Sequence, residues 1–209
     1  MTTRVPVKPE LLRWACERSG HALDAYADRF PHLAAWARAE AWPTLKQLER
    51  FAKATYTPVG YFFLAEPPVE RVPIPDFRTA PARRAERPSP DLLETIYTCQ
   101  QRQEWYRDFA RSMREPPLPF VGSVRLDDDV VATASAIRDA LGFDLAARAK
   151  LPTWTDALRL FIEQADAAGI MVMSSGVVLN NNRRHLDPLE FRGFAMSDDL
   201  APIVFVNGA

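Results

Sequence analysis

The chain has 209 residues, of which 47% are hydrophobic and 25% are charged, and its formal net charge is −1. This length is enough for one large domain or two small ones, and the composition is ordinary for a globular protein. A net charge near zero also excludes a global positive field for nucleic acid. The charge is nevertheless uneven, because residues 1–66 carry 9 basic and 7 acidic side chains whereas residues 91–209 carry 12 and 17.

Two further features indicate a cytoplasmic protein. The N-terminal residues lack the apolar stretch of a signal peptide, and no later apolar run is long enough to cross a membrane. Cys16 and Cys99 are the only cysteines, and they fall in separate predicted helices. We therefore predict that both are reduced thiols packed inside the protein.

The first 66 residues are predicted to form a small bundle of short helices. The helix boundaries are marked by proline at a first-turn position, by serine–glycine at a helix end and by apolar residues at helical spacing. The predicted helices are Glu10–Arg18, Ala22–Arg29, His32–Glu40, one that begins after Pro43-Thr44, and a last turn that begins at Pro58. Trp36 is expected to lie in the core of this bundle.

Residues 67–90 are predicted to be a linker. The density of proline forbids a helix and favours an extended, semi-rigid strap. The prolines of this segment are Pro67, Pro68, Pro73, Pro75, Pro81, Pro88 and Pro90.

Residues 91–209 are predicted to hold three longer helices, at Asp91–Arg114, Val130–Leu141 and Thr153–Ala168. Asp127-Asp128-Asp129 has the composition of an N-cap and acidic first turn for the second helix. Amphipathic spacing predicts which residues face inward. In the first helix they are Leu92, Ile96, Cys99, Tyr106, Ala110 and Met113, and in the third they are Trp154, Leu158, Phe161, Ile162 and Ala165.

Short apolar runs near the C-terminus predict a small β-sheet. The runs are Ile170–Met173, Val177–Leu179 (a continuation of that strand or a second one), Phe191–Met196 and Ile203–Val206. The last run, bounded by Pro202 and Gly208, is typical of a strand buried on both faces. The fold class is therefore α+β: a helix-turn-helix-like bundle, a proline-rich linker, and helices packed on a small, incomplete sheet.

Three blocks of sequence resemble the ImmA/IrrE family of zinc metallopeptidases, in its branch with an N-terminal helix-turn-helix region of the XRE-like kind. The first block is Pro43-Thr-Leu-Lys-Gln-Leu-Glu-Arg-Phe-Ala-Lys. The second joins Pro58-Val-Gly-Tyr-Phe-Phe-Leu to Pro75-Asp-Phe-Arg-Thr79. The third is Phe191-Arg-Gly-Phe-Ala, followed by Ala201-Pro-Ile-Val-Phe-Val-Asn207.

The resemblance implies a helix bearing His-Glu-x-x-His after the last strand, and the sequence stops at Ala209 before such a helix. No position of this chain matches the family's zinc ligands or its catalytic glutamate, so no catalytic residue and no metal ligand is assigned. Zinc is expected only if a further C-terminal part exists. The resemblance also implies stress or mobile-element regulation, with some members in antitoxin positions beside toxin-like proteins.

The residues themselves argue against metal and hydrolytic chemistry. A catalytic zinc site takes three protein ligands, usually with two histidines one helical turn apart. His21, His32 and His185 lack that spacing. The acidic runs at residues 127–129 and 198–199 have no histidine or lysine partner nearby in sequence, so we interpret them as a helix cap and a hairpin turn.

The N-terminal bundle has two interpretations. As a helix-turn-helix it would contact DNA through the cations and polar groups near its second and third helices, namely Arg29, His32, Arg38 and Lys46. However, the helix that would read bases is rich in alanine and lacks Asn, Gln and Lys, which suits helix packing better than base recognition. The alternative is a structural or protein-binding role.

The C-terminal strands also have two interpretations. Phe194, Met196, Val204 and Val206 could present a strand edge that accepts a peptide by β-addition, as the substrate edge does in zinc peptidases of this kind. Alternatively, these strands are only core. An uncovered apolar strand favours a homodimer or a protein partner, unless the long helix from Asp91 to Arg114 folds over it.

The sequence therefore favours a non-catalytic, antitoxin-like regulatory protein that binds a protein partner, either a regulator or a toxin-like protein. Weak DNA binding and a homodimer are compatible with this function, and membrane association is not expected. The alternative function is that of the N-terminal part of a zinc-dependent endopeptidase whose His-Glu-x-x-His helix lies beyond residue 209.

Overall fold

The computed structural model describes residues 3–75 and 87–209 and shows an α+β protein. The described residues contain seven α-helices and one three-stranded sheet, which confirms the predicted fold class. They form two compact units: residues 3–75 with 87–94, and residues 95–209. The predicted linker at 67–90 lies partly outside the described residues, and its described ends belong to the first unit. Residues 76–79 of the family-like blocks also lie outside.

The first unit is built from short helices and turns. Its elements are α1 (Pro9–Arg18), a 3-10 turn (Leu23–Tyr26), α2 (Leu33–Ala37), α3 (Leu45–Ala54) and a second 3-10 turn (Val59–Phe63). The predictions of α1, α3 and the last turn are confirmed. The helix predicted at Ala22–Arg29 is wrong, since only one 3-10 turn forms there.

Proline and backbone geometry explain why the middle of this unit is less helical than predicted. The residue before a proline avoids helical geometry, so Phe30-Pro31 separates the two middle elements. At the other end of α2, Ala39 has a positive φ of 59°, which ends the helix before Glu40. α3, in contrast, begins with a full capping box, in which the side chains of Thr44 and Gln47 each accept a hydrogen bond from the other residue's backbone N–H.

The core of the first unit is aromatic. The ring of Phe51 lies within 6.0 Å of the rings of Tyr26, Phe30 and Phe62, measured between centroids. Trp36 is only 2% exposed, which confirms that it is a core residue. Leu11, Leu12, Leu33 and Leu48 complete the buried cluster.

A buried ion pair ties the segment after the second 3-10 turn to α1. Arg18 donates two hydrogen bonds to the Glu70 carboxylate, at 2.6 and 2.9 Å, and both side chains are largely buried. Arg18 also donates to the Tyr56 carbonyl, and Lys8 donates to the Ala65 carbonyl. Residues 65–70 are therefore part of the packed unit.

The remaining helices are α4 (Pro90–Met113), α5 (Val130–Leu141), α6 (Leu145–Ala149) and α7 (Trp154–Ala167). The three predicted long helices are confirmed, whereas α6 was not predicted. Asp129 caps α5 by accepting a hydrogen bond from the Ala132 N–H, and Gly142 ends it with a left-handed φ of 63°. Thr153 caps α7 in the same way through the Asp156 N–H.

Several residues predicted to face inward are exposed. Trp154, Leu158 and Phe161 on α7 are 73%, 44% and 42% exposed, whereas Ala157 and Ala165 are buried. Met113 on α4 is exposed as well, although Leu92, Ile96, Cys99 and Ala110 are buried as predicted. The helical periodicity was correct, but among residues 95–209 no element covers the large members of these stripes.

The sheet contains β1 (Met171–Ser175), β2 (Gly193–Met196) and β3 (Ile203–Asn207) in the order β1-β3-β2. β3 pairs in parallel with β1, with Met173 opposite Phe205, and antiparallel with β2, with Phe194 opposite Phe205. The expectation that the last strand is buried on both faces is wrong. Ile203 and Phe205 are buried, whereas Val204 and Val206 are 37% and 39% exposed, so one face of the sheet is covered and the other is half-exposed.

α4 lies on the covered face. Gln103 donates its side-chain N–H to the carbonyls of Met196 and Ala201, and Arg107 forms an ion pair with Asp198 at 2.9 Å. Cys99 Sγ lies 3.8 Å from Met173 Sδ on β1. The alternative that the long helix folds across the sheet is therefore correct for this face.

Candidate functional site

The strand order corrects the predicted peptide-binding edge. β3 lies in the middle of the sheet and its main chain pairs on both sides, so Val204 and Val206 cannot offer a free strand edge. Phe194 and Met196 do lie on an edge strand, β2. Met196 is buried, however, and its carbonyl already accepts a hydrogen bond from Gln103.

The main-chain groups that point outward follow from the pairing. The Arg192 carbonyl accepts the Asn207 N–H, so by alternation Gly193 and Ala195 direct their N–H and C=O groups away from β3. On β1, the Met171 N–H donates to the Pro202 carbonyl. The main-chain N–H and C=O groups of Val172 and Ser174 therefore point away from β3. Each edge therefore presents only two residues to an added strand.

Gly193 has a specific reason to be glycine. A Cβ at this position would lie 2.5 Å from the Phe205 carbonyl oxygen, closer than any side chain tolerates. The Phe191-Arg-Gly-Phe194 block thus brings β2 close to β3, where the rings of Phe194 and Phe205 stack with centroids 5.0 Å apart. This part of the family-like sequence therefore has a structural role.

The four predicted DNA-contacting residues are all exposed, but they lie on different elements of the first unit. Arg29 follows the first 3-10 turn and its guanidinium lies over the Phe30 ring. His32 and Arg38 flank α2 at its two ends, and Lys46 lies in the first turn of α3.

The positive charge of Arg38 is compensated locally. Its guanidinium donates two hydrogen bonds to Glu40, at 2.7 and 2.9 Å. This hydrogen-bonded contact lowers the pKa of the exposed Glu40 carboxyl, so the acid stays charged beside the arginine. In addition, α2 has only five residues, which gives a base-reading helix little length. The short α2 and the paired Arg38 therefore do not favour base recognition.

The histidine and acidic residues that the sequence analysis rejected as metal ligands or catalytic acids lie at structural positions. His21 and His185 are exposed, and His185 lies in an isolated bridge with Val177. Asp198 accepts hydrogen bonds from the N–H groups of Leu200 and Ala201, as expected for a hairpin turn. Within residues 3–75 and 87–209, the His, Cys, Asp and Glu side chains form no group of three that could hold a metal ion.

Both cysteines are buried and free, as predicted. Burial raises the pKa of Cys16 to about 11, with a further contribution from Glu17. Burial likewise raises the pKa of Cys99 to about 11, although the nearby Arg102 acts in the opposite direction. Because the thiolate is the reactive form, both thiols are protonated and unreactive near neutral pH.

The sequence did not predict the exposed apolar side chains on α4 and α5 of the second unit. On α4, Trp105, Phe109 and Met113 are 69%, 45% and 62% exposed. α5 has no buried residue, although Val130, Val131 and Ile137 project from it. Helical periodicity could identify these stripes, but it could not show which of them another element covers.

None of the described helices combines the length and the apolar character that a membrane span requires. Comparison of the chain with known protein families, with curated proteins and with solved structures finds no match.

Proposed function

We propose that this chain is a non-catalytic, antitoxin-like regulatory protein of the cytoplasm that acts by binding a protein partner. The observation that carries the proposal is the exposed apolar surface of the second unit. Isolated apolar residues on a surface are ordinary, but several large ones one turn apart on the same exposed helix, such as Trp105, Phe109 and Met113, are typical of protein–protein contact sites.

α5 provides the clearest support. A helix that is apolar around most of its circumference is normally buried. Residues 130–137 carry no charged side chain, and nevertheless the whole of α5 lacks a buried residue. A partner that covers Val130, Val131 and Ile137 would remove this surface from water and gain about 25 cal/mol for each Å² of apolar area.

The resemblance to the ImmA/IrrE family supports the regulatory part of the proposal. It implies a role in stress or mobile-element regulation and a partner that is either a regulator or a toxin-like protein. Weak DNA binding by Arg29 and Lys46 is compatible with such a role, since phosphate contacts position a regulator without specifying a sequence.

Co-expression with the product of the adjacent gene tests the proposal. The two proteins should co-purify in a fixed ratio, and growth arrest caused by a toxin-like neighbour should be relieved. Val131→Glu should weaken both effects, because it places a charge in the exposed surface of α5. Val69→Glu is the matched control, since Val69 is also largely exposed but belongs to the first unit. An unchanged complex with Val131→Glu, or no complex with any neighbouring product, would contradict the proposal.

A second candidate function is that of the N-terminal part of a zinc-dependent endopeptidase, as the resemblance implies. The half-exposed sheet face, with Val204 and Val206 at its centre, favours it because an additional helix can pack on such a surface. Reading the gene beyond codon 209 tests this function directly. A downstream His-Glu-x-x-His helix, with stoichiometric zinc and chelator-sensitive proteolysis in the full product, would establish it and overturn the non-catalytic proposal.

A further inference from the structure

A long stretch of the second unit contains no buried residue. From residue 111 to residue 156 every residue is exposed or half-exposed, whereas Ala110 before this stretch and Ala157 after it are buried. The stretch includes the whole of α5 and α6. These two helices therefore lie on the outside of the unit and contribute no buried side chain to its core. We refer to residues 119–153 as the arm.

The hydrogen bonds within the arm are local. Apart from one bond to α7, those in the described part of the chain join residues no more than five positions apart. A helix as short as α5 is marginally stable in water without tertiary contacts. The helical conformation of the arm therefore depends on the few contacts that it makes with the rest of the unit.

One group of contacts, which we call the latch, joins the arm to α7. The side-chain N–H of Gln164 donates a hydrogen bond to the Gly142 carbonyl at 2.7 Å, where α5 ends. The ring of the adjacent Phe143 meets the ring of Phe161 edge-on, with centroids 5.7 Å apart. α5 itself also contacts α7. The latch thus lies near the middle of the arm, far in sequence from both of its ends.

Both ends of the arm adjoin well-anchored residues. Leu118, directly before the arm, donates its backbone N–H to the Asp199 carbonyl at 2.8 Å, and its side chain lies against Gly169. Thr153, at the other end, caps α7, in which Ala157 and Ala165 are buried. The arm can therefore leave α7 while its ends stay in place and without any change in the buried residues of the unit.

The latch is incomplete when the arm is closed. Gln164 Oε1 is buried and has no hydrogen-bond partner among the described atoms. A buried acceptor without a partner is destabilising, and water can supply the missing hydrogen bond when the arm opens. Phe161 remains 42% exposed beside Phe143, so the ring contact removes little apolar surface from water. The closed state is therefore favoured only weakly.

We propose that the arm is a conformational device that opens from α7 as one cooperative unit when the latch breaks, while α4 and the sheet stay folded. Opening uncovers Phe161 and Gln164 on α7. It also releases α5 from its only helical neighbour in the latch. Local opening of this kind is expected where buried contacts are few. The device is a property of the chain alone and does not rest on the proposed protein partner.

Native-state hydrogen exchange of the purified chain, measured for single amides by NMR, tests the opening. The hydrogen-bonded amides of α5 should share one opening equilibrium and exchange at least about 100-fold faster than those of β3. They should still exchange more slowly than in an unstructured peptide, because the closed state dominates. An α5 without protection, an α5 as protected as β3, or protection that falls gradually towards the helix ends would each overturn the proposal.

Phe161→Ala tests the latch. It should speed exchange throughout α5 about tenfold, because it removes the ring that Phe143 contacts, and it should leave exchange in β3 unchanged. Phe109→Ala is the matched control, since Phe109 is 45% exposed and its ring contacts lie within α4. If Phe161→Ala also speeds exchange in β3, Phe143→Ala replaces it, because Phe143 belongs to the arm. An unchanged α5 in the latch variant, or an equal effect of Phe109→Ala, would contradict the latch.

Discussion

At the scale of single residues, burial without full hydrogen bonding distinguishes Trp36. Its side chain is 2% exposed, and its indole Nε1 has no hydrogen-bond partner among the described atoms. The sequence predicted the burial, because Leu33 and Trp36 share one face of a short helix. It could not predict the state of the indole nitrogen, which depends on what packs above α2.

Replacing Trp36 by a smaller side chain should therefore remove packing contacts without removing a polar contact. Trp36→Ala should lower the free energy of unfolding by about 3–5 kcal/mol, as for other buried aromatic residues. Trp36→Phe should cost less, since it retains the ring and removes an N–H that lacks a partner. Urea denaturation followed by circular dichroism measures both. An alanine variant of unchanged stability would contradict the placement of Trp36 in the core.

Asp198 lies in the turn between β2 and β3 and links this turn to Arg107 of α4. Burial acts to raise the pKa of this carboxyl, but hydrogen bonds from the Leu200 N–H, the Arg107 guanidinium and the Ala201 N–H together lower it below the ordinary value. A lowered pKa in the folded state means that the ionised form contributes stability above the ordinary carboxyl pKa, and that this contribution is lost as the pH falls through the folded value.

Asp198→Asn should therefore reduce the stability of the second unit at neutral pH by about 1–3 kcal/mol, the usual cost of weakening hydrogen bonds to a charged group. The difference between variant and wild type should shrink as the pH is lowered below about 4. Denaturation midpoints at neutral and acidic pH measure it. Asp199→Asn is the matched control, because the neighbouring Asp199 side chain is exposed. A difference that is independent of pH would contradict the role of the ionised carboxylate.

At the scale of elements, capping residues allowed helix bounds to be predicted reliably from the sequence, whereas short segments did not allow a reliable prediction. Asp129 and Gly142 fix α5 at its predicted bounds, and Thr44 does the same for the start of α3. α6 was not predicted because its five residues are too few to show a helical periodicity. The edge assignment of Val204 and Val206 failed because strand order depends on long-range pairing, which a single strand sequence does not contain.

The alternation along β3 gives a prediction with an internal control. Phe205→Lys should unfold the second unit or destabilise it severely, because its ring is buried between Phe191 and Phe194. Val204→Lys should change stability by no more than about 0.5 kcal/mol, since its side chain is on the half-exposed face. Thermal unfolding compares the two variants. Equal destabilisation would show that the outer face is covered in solution.

At the scale of the whole molecule, the spacing of apolar residues and the positions of proline and glycine predicted the α+β class and the first unit's helical character. It could not predict the exposed apolar surface, because exposure depends on which elements meet across the fold. The whole chain has a net charge of −1, so it lacks a long-range attraction for DNA. In the mildly basic residues 1–66, the charge of Arg38 is balanced by its ion pair with Glu40. Both features limit DNA binding.

Binding to duplex DNA should accordingly be weak and salt-dependent. We expect fluorescence anisotropy to detect it at roughly 50 mM salt and to lose it by roughly 200 mM, as for a contact that is mostly to phosphate. Arg29→Ala combined with Lys46→Ala should reduce binding equally for unrelated sequences. Arg71→Ala, at an exposed arginine outside the helices of the first unit, should have little effect. Nanomolar, sequence-selective binding at physiological salt would instead indicate base recognition by α2.

The bond between Arg18 and Glu70 limits how this protein can be divided or recombined. A fragment that ends at residue 66 would retain Arg18 in its sheltered position next to Trp14 but would lose the carboxylate that neutralises it. A chimaera joined within residues 65–70 would inherit the same defect. The first unit is therefore transferable between proteins only with its chain through Glu70, and any natural shuffling of this region would have to respect that junction.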